Sequence, residues 1–183
     1  MNEFVLLLGG ARSGKSSYAE EMAAACSDSV LYLATAEAKD EEMAERIARH
    51  RESRPQTWRT LEAPRGAAAA LKEAWQGEKV ILLDCITLLV TNLLPSGEGF
   101  EQVAVQVEEY EHLVLEEVEA LIEFIAGTDA LTLVVSNEVG MGLVPPYELG
   151  RAYRDILGRA NKALAQAADR VLLLVAGIPM QVK

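Results

Sequence analysis

The stretch Leu6–Ser17, LLLGGARSGKSS, holds the pattern G-x-x-x-x-G-K-[ST] at Gly9, Gly14, Lys15 and Ser16. An apolar segment precedes this pattern and a helix-like spacing of apolar residues follows it, which is the strand–loop–helix context that the motif needs. Glycines let the backbone close around phosphate oxygens, and the N–H groups at the start of the helix carry positive partial charge. We expect Lys15 to reach the β- and γ-phosphates and the Ser16 hydroxyl to ligate Mg²⁺. The stretch therefore predicts a P-loop that binds a polyphosphate.

Short apolar runs rich in Val, Leu and Ile recur along the chain, without clean alternation of apolar and polar residues. The runs are Phe4–Leu8, Val30–Ala34, Val80–Leu83, Leu131–Ser136 and Val171–Ala176. Strands buried on both faces of a parallel sheet have this composition, and helical patterns separate most of the runs. The sequence thus predicts an α/β fold, three-layered, with a mostly parallel central sheet. Thr57–Glu62 is a possible further strand.

Two long helices are expected in the second half of the chain. From about Glu101 to Ala126, apolar residues fall at steps of three or four and form one stripe. Nine glutamates and no Lys or Arg occur between residues 98 and 123, which we interpret as a solvated outer face. A second helix is expected from about Tyr147 to Ala168. Since no repeat, linker or composition shift interrupts the chain, residues 1–183 are expected to form one domain.

Bulk composition excludes several classes of function. The net charge of −11 argues against a general nucleic-acid or anionic-membrane partner, although a local anion site is compatible with it. Two cysteines, Cys26 and Cys85, do not suggest a disulfide framework and fit a reducing compartment. No secretory signal is recognisable, and polar residues interrupt the longest apolar segment, Val80–Leu94, so it is not a membrane span. A cytoplasmic location is expected.

Polar residues at the ends of two other predicted strands are candidates for the same site. Asp84 follows four apolar residues in VILLDC, where a carboxylate can hold the Mg²⁺ shell of a P-loop nucleotide. A strand-ending turn residue is the structural alternative. Asn137 and Glu138 end VVSNEVG, and ligand sites of open α/β sheets lie at such carboxyl ends. These two residues could face the site or could cap the next element.

The segment Glu45–Arg59 concentrates five arginines around His50 in a strongly acidic chain. One interpretation is structural: a helix capped by Asp40, with His50 ending its apolar face and arginines in i,i+4 pairs. The other is functional. Three arginines lie beyond the expected helix with few acids nearby, and such guanidinium groups suit phosphate (Arg51, Arg54 and Arg59). A neutral histidine beside them could attack a phosphate and form a covalent intermediate. The second histidine, His112, is expected at the surface.

These motifs occur together in one family. The matching stretches are GGARSGKS (9–16), YLATAE (32–37), DEEMAERIARHRESRPQTWRTLE (40–62), LLDCITLLVTNLL (82–94), VSNEVGMGLVPP (135–146), RDILGRANKALAQAAD (154–169) and the tail VAGIPMQVK. The most specific of these motifs are R-H-R-x-x-R-P-x-x-W-R and N-E-V-G-M-G-x-V-P. The acidic, glutamate-rich helix, about residues 98 to 126, matches the family least well. The sequence resembles the bifunctional adenosylcobinamide kinase/adenosylcobinamide-phosphate guanylyltransferase family of cobalamin biosynthesis.

The resemblance implies two reactions. A nucleoside triphosphate, ATP or GTP, phosphorylates adenosylcobinamide, and GMP from GTP then passes through an enzyme histidine to the cobinamide phosphate, giving adenosylcobinamide-GDP. The family's guanylylated histidine falls on His50, and Arg49 stands where some relatives have a further histidine. The fold implied is a RecA-like P-loop fold, and the assembly implied is a homotrimer. The nucleotide-binding positions implied are Gly9, Gly10, Ala11, Arg12, Ser13, Gly14, Lys15, Ser16, Ala34, Thr35, Ala36, Arg51, Glu52, Ser53, Arg54, Glu62 and Asp84.

Two other functions fit the P-loop without His50. An ordinary small-molecule kinase would phosphorylate its acceptor and form no covalent nucleotide. A nucleotide-dependent regulatory ATPase would hydrolyse nucleotide whether or not cobinamide is present. Neither needs the arginine-rich segment, so we prefer the bifunctional enzyme. The loop around Gly140, Met141 and Gly142 is a candidate corrinoid contact.

Overall fold

The computed structural model describes residues 3–38, 41–52, 54–94 and 103–183. Side chains are not described for residues 42, 43, 46, 47, 49, 50 and 103–106 within their helices. The strands are β1 Glu3–Gly9, β2 Val30–Ala34, β3 Arg59–Glu62, β4 Val80–Asp84, β5 Leu131–Val135, β6 Arg170–Val175 and β7 Ile178–Gln181. The helices are α1 Lys15–Cys26, α2 Glu41–Glu52, α3 Ala67–Ala74, α4 Ile86–Leu93, α5 Val103–Ala126 and α6 Glu148–Ala167.

The strands form one sheet in the order β3-β2-β4-β5-β1-β6-β7. All neighbouring pairs are parallel except β6 and β7, which are antiparallel. Leu7 pairs with Val135, Asp84 with Val135, and Ala34 with Asp84. The carboxyl ends of β1, β5, β4 and β2 therefore meet at one edge of the sheet. The predicted α/β class and mostly parallel sheet are confirmed.

Both faces of the sheet are covered, which explains why its strands lack apolar/polar alternation. In β1, Phe4 and Leu6 join a cluster that contains residues of α3, α4, α5 and α6. Val5 and Leu7 join a cluster on the opposite face with Ala19 and Ala23 of α1. Successive side chains of a strand point to opposite faces. Both faces of a central strand are therefore apolar, and the helices form the outer two of three layers.

The acidic helix is only partly the solvated surface that its composition predicts. Its described apolar stripe packs inward, through Val114, Val118, Leu121 and Ile125. Two glutamates instead make tertiary contacts. Glu117 Oε1 accepts a hydrogen bond of 2.9 Å from the Ala68 N–H in the first turn of α3, and Glu111 pairs with Arg159 of α6. His112 is exposed as expected and contacts Glu116 at 3.0 Å. Glu98, Glu101 and the expected helix cap Asp40 lie outside the described residues.

The structure also contains elements that the apolar patterns did not predict. These are α3, α4 and the edge strand β7. The continuous apolar segment Val80–Leu94 divides into β4 and α4, with Cys85 between them. Among the described residues, no helix combines the length and the hydropathy that crossing a membrane would need. Cys26 and Cys85 are both free thiols.

Candidate active site

The loop between β1 and α1 is built mainly by its own backbone. Ser13 N–H donates to Gly10 O at 3.2 Å, and Tyr18 N–H donates to Gly14 O at 2.9 Å, where α1 begins. Gly14 precedes the helix at φ 89°, a left-handed conformation that glycine adopts without steric cost. The Lys15 side chain is buried, and its Nζ donates to Gly10 O at 2.7 Å. The loop thus encloses a cationic group beside the start of a helix, as an anion site requires.

Burial lowers the pKa of Lys15, while the neighbouring Cys85 and Asp84 act in the opposite direction. Desolvation disfavours the charged ammonium because it loses hydration. A bound phosphate would supply the compensating negative charge. The electrostatics of Lys15 therefore favour an anionic ligand in this loop.

The C-terminal hairpin braces the outside of the loop. Gly177, in the turn between β6 and β7, donates its N–H to Ser13 O at 2.9 Å. A Cβ on Gly9 would lie 2.6 Å from Leu174 O of β6 and 2.6 Å from Ser13 Oγ. A Cβ on Gly14 would lie 3.3 Å from Gly177 Cα. Both glycines therefore allow a close approach between the loop and the last strands, a tertiary requirement that the motif does not reveal.

A cavity of 490 Å³ opens above the loop at the carboxyl edge of the sheet. Many residues predicted to bind nucleotide line this cavity: Ala11, Arg12, Ser13, Gly14, Lys15, Ser16, Ala34, Ala36, Arg51, Arg54, Glu62 and Asp84. Thr35 is fully buried instead, and the described lining does not include Gly9, Gly10 or Glu52. Ser53 and the side chain of His50 lie outside the described part of the chain. The backbone of His50 belongs to the last turn of α2, directly before Arg51.

Asp84 lies at the end of β4, and Tyr32 of β2 holds its carboxylate. Tyr32 Oη donates to Asp84 Oδ2 at 2.8 Å. Burial, reinforced by the Asp84 charge, raises the pKa of Tyr32 far above its usual value, so the phenol remains a neutral donor. The carboxylate is thus oriented by a side chain from the neighbouring strand.

Thr35 connects the ends of β2 and β4 behind the cavity. Its Oγ1 accepts a bond of 2.8 Å from the Cys85 N–H and donates one of 2.7 Å to Cys85 O. Asn92 Nδ2, from α4, donates to Thr35 O at 2.8 Å. Since Cys85 directly follows Asp84, these bonds support the backbone on which the carboxylate stands. The expected nucleotide-binding position Thr35 therefore lies behind the cavity wall.

Three arginines of the segment Glu45–Arg59 each lie close to an acidic side chain, although the sequence suggested few acids nearby. Arg51 Nη1 lies 3.4 Å from Glu62 Oε1, and Arg54 Nε lies 3.8 Å from Glu20 Oε1. Arg59 pairs with the buried Glu78 and donates to Ala74 O at 3.1 Å. The expectation that Arg59 is available for phosphate is thus wrong, because it joins β3 to the α3–β4 connection. Arg51 and Arg54 remain in the cavity wall.

The Arg54 guanidinium lies over the Tyr32 ring, with Cζ 3.3 Å from the ring centroid. Its side chain is 9% exposed, although Glu20 contacts it only at 3.8 Å. Burial raises the pKa of Glu20, and Arg54 offsets part of that rise. Arg54 therefore reaches the cavity from a segment beyond α2 and rests on a residue of the central sheet.

The two residues predicted at the end of β5 have different surroundings. Asn137 lines the cavity, and its N–H donates to Thr87 Oγ1 at 2.8 Å. Glu138 instead makes local bonds, with its N–H donating to Gly9 O at 3.0 Å and its Oε1 accepting from the Gly140 N–H at 2.7 Å. Asn137 thus faces the site, whereas Glu138 supports the loop that follows it.

The donor set of the cavity suits Mg²⁺. Ser16 and Asp84 contribute a hydroxyl and a carboxylate to its lining, and hard oxygen ligands are those that Mg²⁺ prefers. Among the described residues no cluster of three His, Cys, Asp or Glu side chains could hold a metal. Mg²⁺ that enters with a nucleotide needs only one or two protein oxygens, since phosphates and water supply the rest. The residues therefore fit a nucleotide-borne ion.

Several lining residues were not predicted as site residues. They are Ser17, Tyr32, Thr60, Cys85, Leu88 and Val135. Most are small or apolar and resemble ordinary core residues in the sequence. Tyr32 could have been recognised from the sequence, because a hydroxyl within a strand buried on both faces requires a polar partner.

A protein-family model described as "Cobinamide kinase / cobinamide phosphate guanyltransferase" matches residues 5–182. The chain belongs to this family. A relative in Pseudomonas aeruginosa, "Bifunctional adenosylcobalamin biosynthesis protein CobP", is 44% identical over 178 residues, which cover 97% of this chain and 96% of the relative. A relative in Escherichia coli, "Bifunctional adenosylcobalamin biosynthesis protein CobU", is 41% identical over 184 residues, covering 98% of this chain and 99% of the relative.

Among solved structures, the crystal structure of the RadB recombinase has a TM-score of 0.48 and 11% sequence identity. That match covers 93% of this chain and 73% of the recombinase. Membership of the cobinamide kinase/guanyltransferase family rests on the sequence matches, which extend over almost the whole chain.

Proposed function

We propose that one cavity of this enzyme serves both reactions of the family. ATP or GTP phosphorylates adenosylcobinamide, and GMP from GTP is then transferred through a covalent GMP–His50 intermediate to give adenosylcobinamide-GDP. One observation carries the proposal: the P-loop and Asp84 share a cavity with Arg51 and Arg54, which lie at and just beyond the end of the histidine-bearing helix. A plain kinase has no need of that second group.

In the kinase reaction, the protein mainly positions the nucleotide and offsets charge. Lys15 is the proposed ligand of the transferred phosphoryl group, which it neutralises as negative charge develops. Ser16 and Asp84 are the proposed holders of Mg²⁺, which neutralises phosphate charge when bound. The burial of Lys15 favours this role, because electrostatic interactions are stronger where water is excluded.

In the guanylyl transfer, a neutral imidazole nitrogen of His50 is proposed to attack the α-phosphorus of GTP. A P–N bond forms, the bond from the α-phosphorus to the bridging oxygen breaks, and pyrophosphate leaves. A phosphate oxygen of the cobinamide phosphate then attacks the same phosphorus and releases the histidine. Arg51 and Arg54 offset the phosphate charge in both displacements. The remaining proposed nucleotide contacts are the loop positions from Gly9 through Ser16, Ala34 and Ala36 on either side of the buried Thr35, and Glu52, Ser53 and Glu62.

The wider assembly is also part of the proposal. We propose that residues 1–183 act as one domain, in a homotrimer, in the cytoplasm. Large apolar side chains on β7 are exposed, with Ile178 at 66% and Met180 at 53%, and a subunit contact would bury them. Met141, in the loop proposed to contact the corrinoid between Gly140 and Gly142, is 79% exposed. Light scattering of the purified protein would measure its oligomeric state.

The decisive experiment tests for covalent nucleotide. Protein, Mg²⁺ and GTP labelled at the α-phosphate are incubated without cobinamide, and the denatured chain is examined for label. His50→Ala is compared with His112→Ala, which removes the exposed histidine of α5. We expect acid-labile, base-stable label on wild type and on His112→Ala, and none on His50→Ala.

Other outcomes would point to the alternative functions. Folded wild-type protein that binds GTP but takes up no label would contradict the guanylyl-transfer half and leave a kinase. Nucleotide hydrolysis that is indifferent to added cobinamide would instead favour a regulatory ATPase. Label that persists on His50→Ala would assign the intermediate to another residue.

A further inference from the structure

Tyr32 is an unusual residue for its position in the sheet. It lies in β2, is only 2% exposed, and its neighbours in the strand are aliphatic. In the β2–β4 register, Tyr32 is opposite Leu82 and Ala34 is opposite Asp84. Because alternate residues share a face, Tyr32 and Asp84 project from the same face of the sheet. A phenylalanine would fill the core equally well, so the hydroxyl is the feature to explain.

The Tyr32 hydroxyl bonds to only one of the two carboxylate oxygens of Asp84. Tyr32 Oη donates to Asp84 Oδ2 at 2.8 Å. A hydrogen bond from a neutral donor to a carboxylate is among the stronger kinds in proteins. It restricts rotation of the Asp84 side chain, while Oδ1 can still face a ligand. The bond therefore orients the carboxylate that lines the cavity.

The ring of Tyr32 is in turn covered by Arg54. The guanidinium carbon lies 3.3 Å from the ring centroid, a geometry in which the cation is attracted to the ring face. Arg54 Nε and Glu20 Oε1 are buried and make no hydrogen bond within the described part of the chain, although they face each other at 3.8 Å. The stack on Tyr32 is thus a direct contact of this guanidinium, which lies too far from Glu20 for a hydrogen bond.

We propose that Tyr32 is a positioning residue that links the two halves of the site. Its hydroxyl holds Asp84, and Arg54, which lies just beyond α2, covers its ring. The segment that follows the histidine-bearing helix is therefore connected through Tyr32 to the carboxylate assigned to Mg²⁺. This inference rests on the proposed role of Asp84, but not on the covalent histidine.

The test measures nucleotide binding rather than turnover. The affinity for a fluorescent GTP analogue is determined in EDTA and across a Mg²⁺ titration. Tyr32→Phe keeps the ring and removes only the hydroxyl. We expect the Mg²⁺ concentration for half-maximal effect to rise about five- to tenfold, a larger change than any in its affinity in EDTA. Tyr153→Phe is the matched control, since it removes the hydroxyl of a partly buried tyrosine that bonds to Thr87 O at 3.3 Å.

A double-mutant cycle tests the connection to Arg54. Arg54→Gln weakens nucleotide binding in EDTA if Arg54 also contacts phosphate, so the Mg²⁺ requirement is the quantity to compare. We expect Arg54→Gln to raise that requirement about two- to fivefold, and the double variant to require no more Mg²⁺ than Tyr32→Phe alone.

Three outcomes would overturn the inference. A wild-type Mg²⁺ requirement in Tyr32→Phe would remove the role of the hydroxyl, and an equal rise in Tyr153→Phe would make the effect general. If the fold-changes in Mg²⁺ requirement of the two single variants multiply in the double variant, Arg54 acts independently of Tyr32. Absence of GMP–histidine label in wild type would contradict the proposed transferase activity while leaving this binding experiment interpretable.

Discussion

The two walls of the cavity are built by different means. The P-loop wall is a contiguous stretch held by its own backbone, with bonds such as Ser13 N–H to Gly10 O. The other wall is assembled from side chains of separate segments, among them Tyr32, Arg54 and Asp84. We therefore expect the P-loop wall to be sensitive to substitution of its glycines and of Lys15. The side-chain wall should be sensitive even to conservative substitutions of its side chains. The comparison can be tested from both sides.

The largest effect is expected at Lys15, whose charged side chain the P-loop encloses. Lys15→Ala should lower the rate of cobinamide phosphorylation about 10²–10³-fold, because a preorganised charge in a water-excluded site is lost. Steady-state kinetics with labelled nucleotide measure the change. Lys72→Ala, in the last turn of α3, is the control and should have wild-type rates. Near-normal activity of Lys15→Ala would show that the loop backbone alone suffices.

The next effect concerns the Cys85 thiol, which is part of the side-chain wall beside Asp84. Burial, with the Asp84 charge beside it, raises the pKa of Cys85 from 9.0 to about 11, whereas Cys26 is exposed. Since the thiolate is the reactive form, Cys85 should contain about a hundredfold less of it near neutral pH than an ordinary thiol. Alkylation followed by mass spectrometry should modify Cys26 first, and Cys85 only as the pH approaches 11. Equal rates at mildly alkaline pH would mean that the wall is open to solvent.

A smaller effect, on the free energy of unfolding, is expected to distinguish substitutions of the adjacent glycines Gly9 and Gly10 in the P-loop. Gly9→Ala would place Cβ 2.6 Å from the backbone oxygen of Leu174, whereas a Cβ on Gly10 meets nothing within 4 Å. Overpacking should make Gly9→Ala less stable by about 1–3 kcal/mol in its free energy of unfolding. Gly10→Ala should stay within about 0.5 kcal/mol of wild type. Urea denaturation measures both, and equal stability of the two variants would contradict the brace by β6.

The smallest effect is expected for the exposed ion pair between Arg51 and Glu62 in the side-chain wall. Arg51 and Glu62 have side chains 66% and 60% exposed, so Arg51→Ala should change the free energy of unfolding by less than about 0.5 kcal/mol. Arg59→Ala is the contrast, because it leaves the carboxylate of Glu78, only 7% exposed, without its cationic partner. We expect a loss of about 1–3 kcal/mol there. Similar melting curves for the two variants would mean that burial of Glu78 is unimportant.

The local sequence pattern was sufficient to predict the P-loop and most strands of the sheet. The strands β1, β2, β4, β5 and β6 all begin and end within about one residue of the predicted apolar runs, because burial on both faces gives the strands a distinctive composition. The possible strand at Thr57–Glu62 is present as β3. Local pattern was insufficient for β7, which is four residues long, contains Pro179 and is exposed throughout. An edge strand pairs through its backbone, and its side chains therefore carry little signal.

The sequence by itself determined the phosphate loop, the α/β class and the position of Asp84 at a strand end, because each depends on residues close together in the chain. Its family motifs also identified the cobinamide kinase/guanyltransferase family. Only the tertiary structure decided that Tyr32 holds Asp84, that Arg54 covers Tyr32 and that Arg59 is committed to Glu78. Each of these contacts joins segments separated by many residues. Their geometry follows from strand order and register, which bring distant side chains to one edge of the sheet.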